Sequence, residues 1–196
     1  MATVGYRGAG FPKMMQQRVA EVAVGPSTVR NQGATGVAGA ARTFRSRLAP
    51  GRFGTRRASG FRSALDRATE DLRRSLPRGA RHWGLARNVL NLFLRDAHYN
   101  RVLCGVHGLG SSAEWMEVPL DRMVAEGLVP RDSDRVLPGR PGVKHLSPAV
   151  SDAYQRLARR EAGLHRIHTV DMDLLSWRSE SAPKPVPRGR RAGRSS

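Results

Sequence analysis

The sequence predicts an all-α fold, a compact bundle of about seven or eight helices. In several segments apolar residues recur every three or four positions, as on one face of a helix. No segment shows the sustained alternation of apolar and polar residues that is typical of a half-buried strand. With 196 residues the chain is long enough for one domain with a core, but short for two. We assign residues 1–178 to a single helical domain.

The helices follow from apolar spacing and from residues that favour helix ends. Ser59 is a candidate N-cap, Pro119 a first-turn proline, Ser147 with Pro148 a helix start, and Gly163 a C-terminal cap. The segment from Leu85 to Cys104 has the broadest apolar stripe and is predicted to be the central core helix. Helices are predicted over residues 11–24, 37–48, 59–76 and 85–104, within 114–128, and over 147–163 and 167–177.

Positive charge is the strongest compositional feature of the chain. Lys and Arg number 34 against 16 Asp and Glu, which gives a formal net charge of +18. This excess indicates a polyanionic partner, with nucleic acid favoured over an acidic membrane. Almost all of the cations are arginines, a bias that a GC-rich genome would also produce. Charge therefore indicates a class of partner but no reaction.

Cysteine usage and hydropathy exclude several classes of protein. The single Cys104 excludes an internal disulfide, a cysteine-ligated zinc site and a cysteine-ligated iron–sulfur cluster. Asp171 and Asp173 lack a constellation of further ligands, so we expect neither a metal nor a cofactor. No apolar run is long enough for a membrane span, and no signal core is present at the start. We expect a cytoplasmic, nucleoid-associated protein.

Two segments are rich in residues that disfavour regular structure. Residues 179–196 combine Pro, Gly, Ser and Arg and predict a disordered basic tail, which either binds phosphates or only aids solubility. Residues 25–36 form a polar loop in which Ser27, Asn31 and Gln32 are candidates for contacting a ligand. An ordinary connection between helices is the alternative interpretation of this loop.

The turn at Trp83 and Gly84 leads into a helix whose start is flanked by arginines, an arrangement that attracts phosphate. The segment resembles the hairpin of the helix-hairpin-helix DNA glycosylases, in which a Pro-Gly-apolar-Gly turn contacts the DNA backbone through its amides. Trp83 takes the proline position, and Ala86 replaces the second glycine. The DNA-binding residues implied by this resemblance are Gly84, Leu85, Ala86 and Arg87, together with the neighbouring Arg81.

A second segment strengthens the resemblance. Residues 118–121, Val-Pro-Leu-Asp, are similar to the apolar-Pro-apolar-Asp stretch that carries the catalytic acid of these glycosylases. Residues 77–128 would thus hold the hairpin and the catalytic segment, with Asp121 stabilising the positive charge that develops on the sugar. The alternative is that Asp121 only caps a surface helix. Asn88 stands where lyase members have a lysine, which implies a monofunctional enzyme unless Lys144 supplies an amine.

The resemblance implies a DNA N-glycosylase that removes a modified or damaged base flipped out of double-stranded DNA and leaves an abasic site. Such base excision could serve anti-phage defence or DNA repair. Trp83, Asn91 and Tyr99 are further candidates for a base pocket, although aromatic residues are more often part of a core. The alternatives are a non-enzymatic DNA-binding protein, nucleoid-associated or regulatory, and a protein that acts on RNA.

Overall fold

A computed structural model describes residues 10–135, 137–139 and 142–175, except for the side chains of Pro26 and Ser27. Within these residues the chain is helical and contains no β-strand, which confirms the predicted fold class. Short 3₁₀ turns connect several of the helices. The α-helices are α1 (Gly10–Val22), α2 (Pro26–Val29), α3 (Val37–Arg47), α4 (Ala58–Ser75), α5 (Trp83–Tyr99), α6 (Arg101–His107), α7 (Arg122–Leu128) and α8 (Pro148–His165).

Helix α5 is the centre of the molecule. Every residue from Gly84 to Leu94 is buried, on all sides of the helix. A larger hydrophobic cluster joins α5 to α1, α3 and α4, with Phe53 and Phe61 in edge-to-face contact at 6.1 Å between ring centroids. A helix that is buried all round belongs to the interior of a bundle, so the predicted central core helix is found.

A smaller hydrophobic cluster lies on the other side of α5. It contains Val118, Leu120 and Val124 from the chain around the start of α7, and Tyr154 and Leu157 from α8. The half-buried Trp83, at the start of α5, packs against it. The two clusters are therefore joined through α5.

A buried ion pair connects α5 to the segment that leads into α7. Nε and Nη2 of Arg87 each donate a hydrogen bond of 2.8 Å to the carboxylate of Glu117. Nη1 of Arg87 donates to Asp66 at 2.8 Å and to Thr69 at 3.0 Å, both on α4. Asn91 donates to Glu117 at 3.0 Å. Because each charge has several partners, burial leaves neither of them unsatisfied.

The same segment is tied to α8 by an amide. Oε1 of Gln155 accepts a hydrogen bond from the N–H of Val118 at 3.1 Å, and Nε2 of Gln155 donates to the carbonyl of Val118 at 2.8 Å. Gln155 thus satisfies both backbone groups of one buried residue, as a neighbouring strand would. The path of the chain towards α7 is fixed from both sides.

The predicted helix over residues 85–104 is wrong in one respect, because it is two helices. Helix α5 ends at Tyr99, and Asn100 has an extended backbone with φ −76° and ψ 111°. Its side chain caps α6 by accepting hydrogen bonds from the N–H groups of Val102 and Leu103, both at 3.1 Å. A short amide side chain that caps a new helix competes with continuation of the old one.

Other helix ends confirm or correct the predictions. Ser147 caps α8 as predicted, accepting from Val150 N–H at 3.3 Å. Ser59 and Pro119 do not mark helix starts, since α4 begins at Ala58 and α7 at Arg122. Helix α8 continues past Gly163 and ends at His165, and the next residue, Arg166, is its C-cap in a left-handed conformation with φ 55°.

The ends of the chain are only partly described. The predicted final helix over residues 167–177 contains a 3₁₀ turn at Thr169–Asp171 followed by helical residues 172–175. The remainder of that segment and the predicted basic tail over residues 179–196 lie outside the described residues. In the part of the chain that is described, no helix has the length and apolar character needed to cross a membrane.

We expect Arg87→Met to lower the free energy of unfolding by about 3–5 kcal/mol, because it leaves the carboxylate of Glu117 buried without its main partner. The control is Arg73→Met, which removes an arginine from the half-buried pair that Arg73 forms with Glu70 at 2.7 Å on α4. That change should cost less than about 1 kcal/mol. Urea unfolding followed by circular dichroism measures both, and losses of equal size would contradict a structural role for Arg87.

Candidate ligand-binding cleft

A cleft of about 560 Å³ lies beside the first turns of α5. Three separate parts of the chain line it: the polar loop around residues 28–32, the start of α7 at residues 121–123, and residues 142–145. Asn88 of α5 lies between them. Two sequence-predicted regions, the polar loop and the segment carrying Asp121, therefore meet in one cavity.

Close backbone contacts hold two of the cleft walls against the start of α5. A Cβ atom on Gly33, whose φ is +87°, would lie 2.5 Å from the carbonyl oxygen of Gly79. A Cβ atom on Gly84 would lie 2.3 Å from the carbonyl oxygen of Val143. No side chain fits at such distances, so glycine is required where each wall meets the region of α5.

Gln32 presents an unpaired oxygen within the cleft lining. Its Nε2 donates to the carbonyl oxygens of Thr28 at 3.1 Å and Arg30 at 3.3 Å, which fixes the orientation of the amide. Its Oε1 is buried and has no partner among the described residues, and the residue as a whole is only 8% exposed. One residue of the cleft lining therefore carries a buried, fixed acceptor without a donor.

Asn88 is the least satisfied polar residue of the cleft. It is 1% exposed, and neither Nδ2 nor Oδ1 has a partner in the described part of the structure. A buried amide without partners costs about 1–3 kcal/mol per unmade interaction. Asn91, one turn further along α5, is buried as well but donates to Glu117. Asn91 therefore has a structural partner, whereas Asn88 has none among the described residues.

Asp121 has a local role as well as a place in the cleft. It is the N-cap of α7, and its Oδ1 accepts a hydrogen bond from the N–H of Val124 at 3.0 Å. The carboxylate is half-buried beside the buried Leu120 and Val124. The interpretation that Asp121 caps a helix is therefore correct. A cap uses one carboxylate oxygen, so the other is left for a ligand.

The rim of the cleft is basic. Arg30, Arg122 and His145 are exposed and Lys144 is half-buried, and all four line the cavity. Arg122 also pairs with Glu126 at 2.9 Å along α7. Cations around a polar cleft favour ligands that carry phosphate. Arg30, Arg122 and His145 were not singled out as binding residues by sequence, because no motif marks them, and Lys144 was considered only as the amine of a lyase step.

A second cavity of about 650 Å³ lies between the start of α4 and the end of α8. Its buried carboxylate, Glu117, is already neutralised by Arg87. Among the described residues its one buried polar atom without a partner is Nε1 of Trp115. The smaller cleft is the stronger candidate because it combines two unsatisfied amides with a carboxylate.

The predicted hairpin is wrong in its structure. Residues 83–86 form the first turn of α5, and the connection from α4 runs through residues 76–82. Gly84, Leu85 and Ala86 are buried, so their amides cannot contact a DNA backbone. Gly84 instead allows close packing against Val143.

The roles predicted for Arg87 in DNA binding and for Trp83 in a base pocket do not fit the structure either. Arg87 is 1% exposed and held by Glu117, so it cannot bind DNA. Its guanidinium lies 5.2 Å from the ring centroid of Trp83, which packs in the smaller hydrophobic cluster and does not line the cleft. Arg81 is exposed, with Nε donating to the carbonyl of Leu76 at 3.0 Å, and its DNA contact stays a prediction.

The remaining candidates separate into two groups. Asn31, which is exposed, and Gln32 line the cleft, and the side chain of Ser27 lies outside the described part. Asn91 is committed to Glu117 and is not a pocket residue. Tyr99 lies at the far end of α5, about 16 Å from Asn88 along the axis. Burial and a 2.7 Å hydrogen bond to Asp171 raise the pKa of its phenol.

The acidic pair near the C-terminus has structural partners. Asp173 pairs with Arg95, and Asp171 accepts from Tyr99 and from the N–H of His168 at 3.1 Å. No group of three or more potential metal ligands occurs within the described ranges.

The chain matches no protein-family model, no curated protein and no solved structure.

We expect Asn88→Leu to raise the melting temperature by about 2–4 °C, because it removes an unsatisfied amide from the interior and keeps the same number and branching of side-chain heavy atoms. Asn91→Leu is the matched control and should lower the melting temperature by several degrees, since Glu117 loses a hydrogen-bond donor. Differential scanning calorimetry measures both. A melting temperature that falls equally in the two variants would show that Asn88 supports the fold.

Proposed function

We propose that this protein is a DNA glycosylase that hydrolyses the N-glycosidic bond of a modified or damaged base flipped out of double-stranded DNA. The observation that carries the proposal is the cleft itself, whose lining includes the Asp121 carboxylate together with Asn88, whose amide has no partner, and Gln32, whose Oε1 has none. Base excision leaves an abasic site and would serve anti-phage defence or DNA repair.

The amides provide the groups that recognise a base. A flipped base presents its Watson–Crick edge to hydrogen-bonding side chains in a pocket. Asn88 offers one donor group and one acceptor, and Gln32 offers one acceptor. In the complex the base supplies the partners that these buried atoms lack, which turns the cost of their burial into binding specificity.

Asp121 provides the charge that the reaction needs. As the bond between the base and C1′ breaks, the sugar gains positive charge and the base departs with the bonding electrons. A carboxylate beside C1′ stabilises that charge and can orient the attacking water. As the water oxygen bonds to C1′, its proton passes to the carboxylate, which later releases it to solvent, and the departing base takes up a proton from solvent. The buried Leu120 and Val124 limit the water around Asp121, which strengthens this electrostatic effect.

DNA backbone binding is assigned to the basic rim instead of the hairpin. Arg30, Arg122 and Lys144 surround the cleft, and the net charge of +18 favours association with a polyanion. Phosphates on either side of a flipped nucleotide would approach these cations.

We propose that the enzyme is monofunctional. A lyase step requires an amine that forms an imine with C1′ of the sugar, and the amide of Asn88 cannot do so. Lys144 is the one amine that lines the cleft among the described residues. Its participation is the specific alternative to hydrolysis.

We expect Asp121→Asn to slow base release at least about 100-fold while DNA affinity stays unchanged, because Asn preserves the helix cap but not the charge. The substrates are duplexes with normal, damaged and phage-modified bases, including glucosylated cytosines. Mass spectrometry of released bases and alkali cleavage of the strands measure the reaction.

The matched control is Asp152→Asn, which neutralises an exposed carboxylate of α8 that pairs with Arg62 at 2.6 Å. It should leave base release unchanged. If no substrate loses a base although the protein binds DNA tightly and in a salt-sensitive way, the protein is a non-enzymatic DNA-binding protein.

We expect no covalent adduct when the reaction is run with borohydride, because hydrolysis forms no imine for borohydride to reduce. Strand breaks should appear only after alkali treatment. An adduct that forms with the natural chain and disappears in Lys144→Arg would instead identify a bifunctional glycosylase that uses Lys144.

A further inference from the structure

We propose that the cleft selects bases that carry at least two N–H groups over bases that carry only one. The first class contains cytosine, adenine, guanine and derivatives that keep a free amino group. The second contains uracil, thymine and hypoxanthine. This inference rests on the proposed function, since it concerns the base that enters the same cleft.

The first observation is the fixed orientation of Gln32. Its Nε2 faces two carbonyl oxygens, those of Thr28 and Arg30. Turning the amide over would place oxygen against oxygen, so Oε1 must be the atom left without a partner. Gln32 therefore offers a ligand an acceptor and no donor.

The second observation is Asn88, whose two amide atoms both lack partners. Exchanging its nitrogen and oxygen changes their positions but not their number, since either orientation offers one acceptor and one NH₂ group. Two residues of the cleft lining, Gln32 and Asn88, thus each carry one buried acceptor that needs a donor. Asp121 adds further acceptor oxygens, so the demand for donors is not reduced.

Bases differ in the number of donors they bring. In a nucleotide, uracil, thymine and hypoxanthine each keep one N–H group, cytosine and adenine carry two N–H bonds on their amino groups, and guanine carries three. A base with one N–H leaves at least one of the two acceptors buried and unpaired. That deficit weakens binding about 5- to 100-fold. Size does not make this distinction, because a cleft of about 560 Å³ exceeds the volume of any base.

The test measures binding to duplexes that differ at one central nucleotide, placed opposite an abasic site so that it is unpaired. A 2′-fluoro substituent on the target sugar slows hydrolysis, so affinity is measured without turnover. The matched pairs are guanine with hypoxanthine, cytosine with uracil, and 5-methylcytosine with thymine. Guanine and hypoxanthine differ only in the 2-amino group. We expect the amino-bearing member of each pair to bind at least about fivefold more tightly.

Two variants assign the selectivity to the amides. Gln32→Met and Asn88→Leu each remove one of the two acceptors, so a single N–H then suffices and the ratio within each pair should fall towards one. Gln17→Met makes the same chemical change at an exposed position of α1 and should leave the ratio unchanged. Asn88→Leu needs no compensating hydrogen bond and remains informative if Gln32→Met fails to fold.

The outcomes separate this inference from the proposed function. Equal affinity within the pairs, tighter binding of the one-donor members, or no binding of any base would overturn the selectivity. Selective binding without base release from unmodified sugars would leave the selectivity in place and remove the glycosylase function. Equal release of amino-bearing and amino-lacking bases would overturn the selectivity and leave the glycosylase function in place.

Discussion

The buried pair of Arg87 and Glu117 is the interaction on which the site depends. Arg87 is adjacent to Asn88 on α5, and Glu117 precedes Asp121 by four residues. Fixing the guanidinium against the carboxylate therefore fixes two cleft residues relative to each other, although neither touches the pair. A buried ion pair adds little net stability compared with apolar packing, because desolvation offsets the attraction. Its value in this protein is geometric: two hydrogen bonds of 2.8 Å set the register of the chain before α7.

Sequence patterns predicted the helices well where burial follows one face. The amphipathic pattern of α4 and the cap at Ser147 depend on neighbouring residues and can be recognised from sequence. The break at Asn100 was missed because the apolar stripe continues into α6, where Leu103 is fully buried. Periodicity records which residues face the core, and two consecutive helices can share that face across a kink.

The site was predictable only in its parts. The polar loop and Asp121 were singled out by residue type, and the fold brings Gln32 and Asp121 into one cleft. Arg87 was misassigned because an arginine at a helix start attracts phosphate, whereas its actual partner, Glu117, lies 30 residues away. Gly84 was misassigned because it matched a glycine of the hairpin pattern, whereas its close contact with Val143 is set by tertiary packing. Long-range partners of charged and small residues leave no local signal in a single sequence.

The two sides of the cleft are attached to different hydrophobic clusters. Helix α2, which precedes Gln32, packs against the larger cluster through Val29, whereas Asp121 caps the helix that contributes Val124 to the smaller one. A ligand held from both sides adds its binding energy to the association of the clusters. The smaller cluster, with fewer buried residues, is the unit more prone to local opening. A ligand in the proposed site would therefore act as a clamp and slow amide hydrogen exchange in α7, while α1 and α3 would exchange as before.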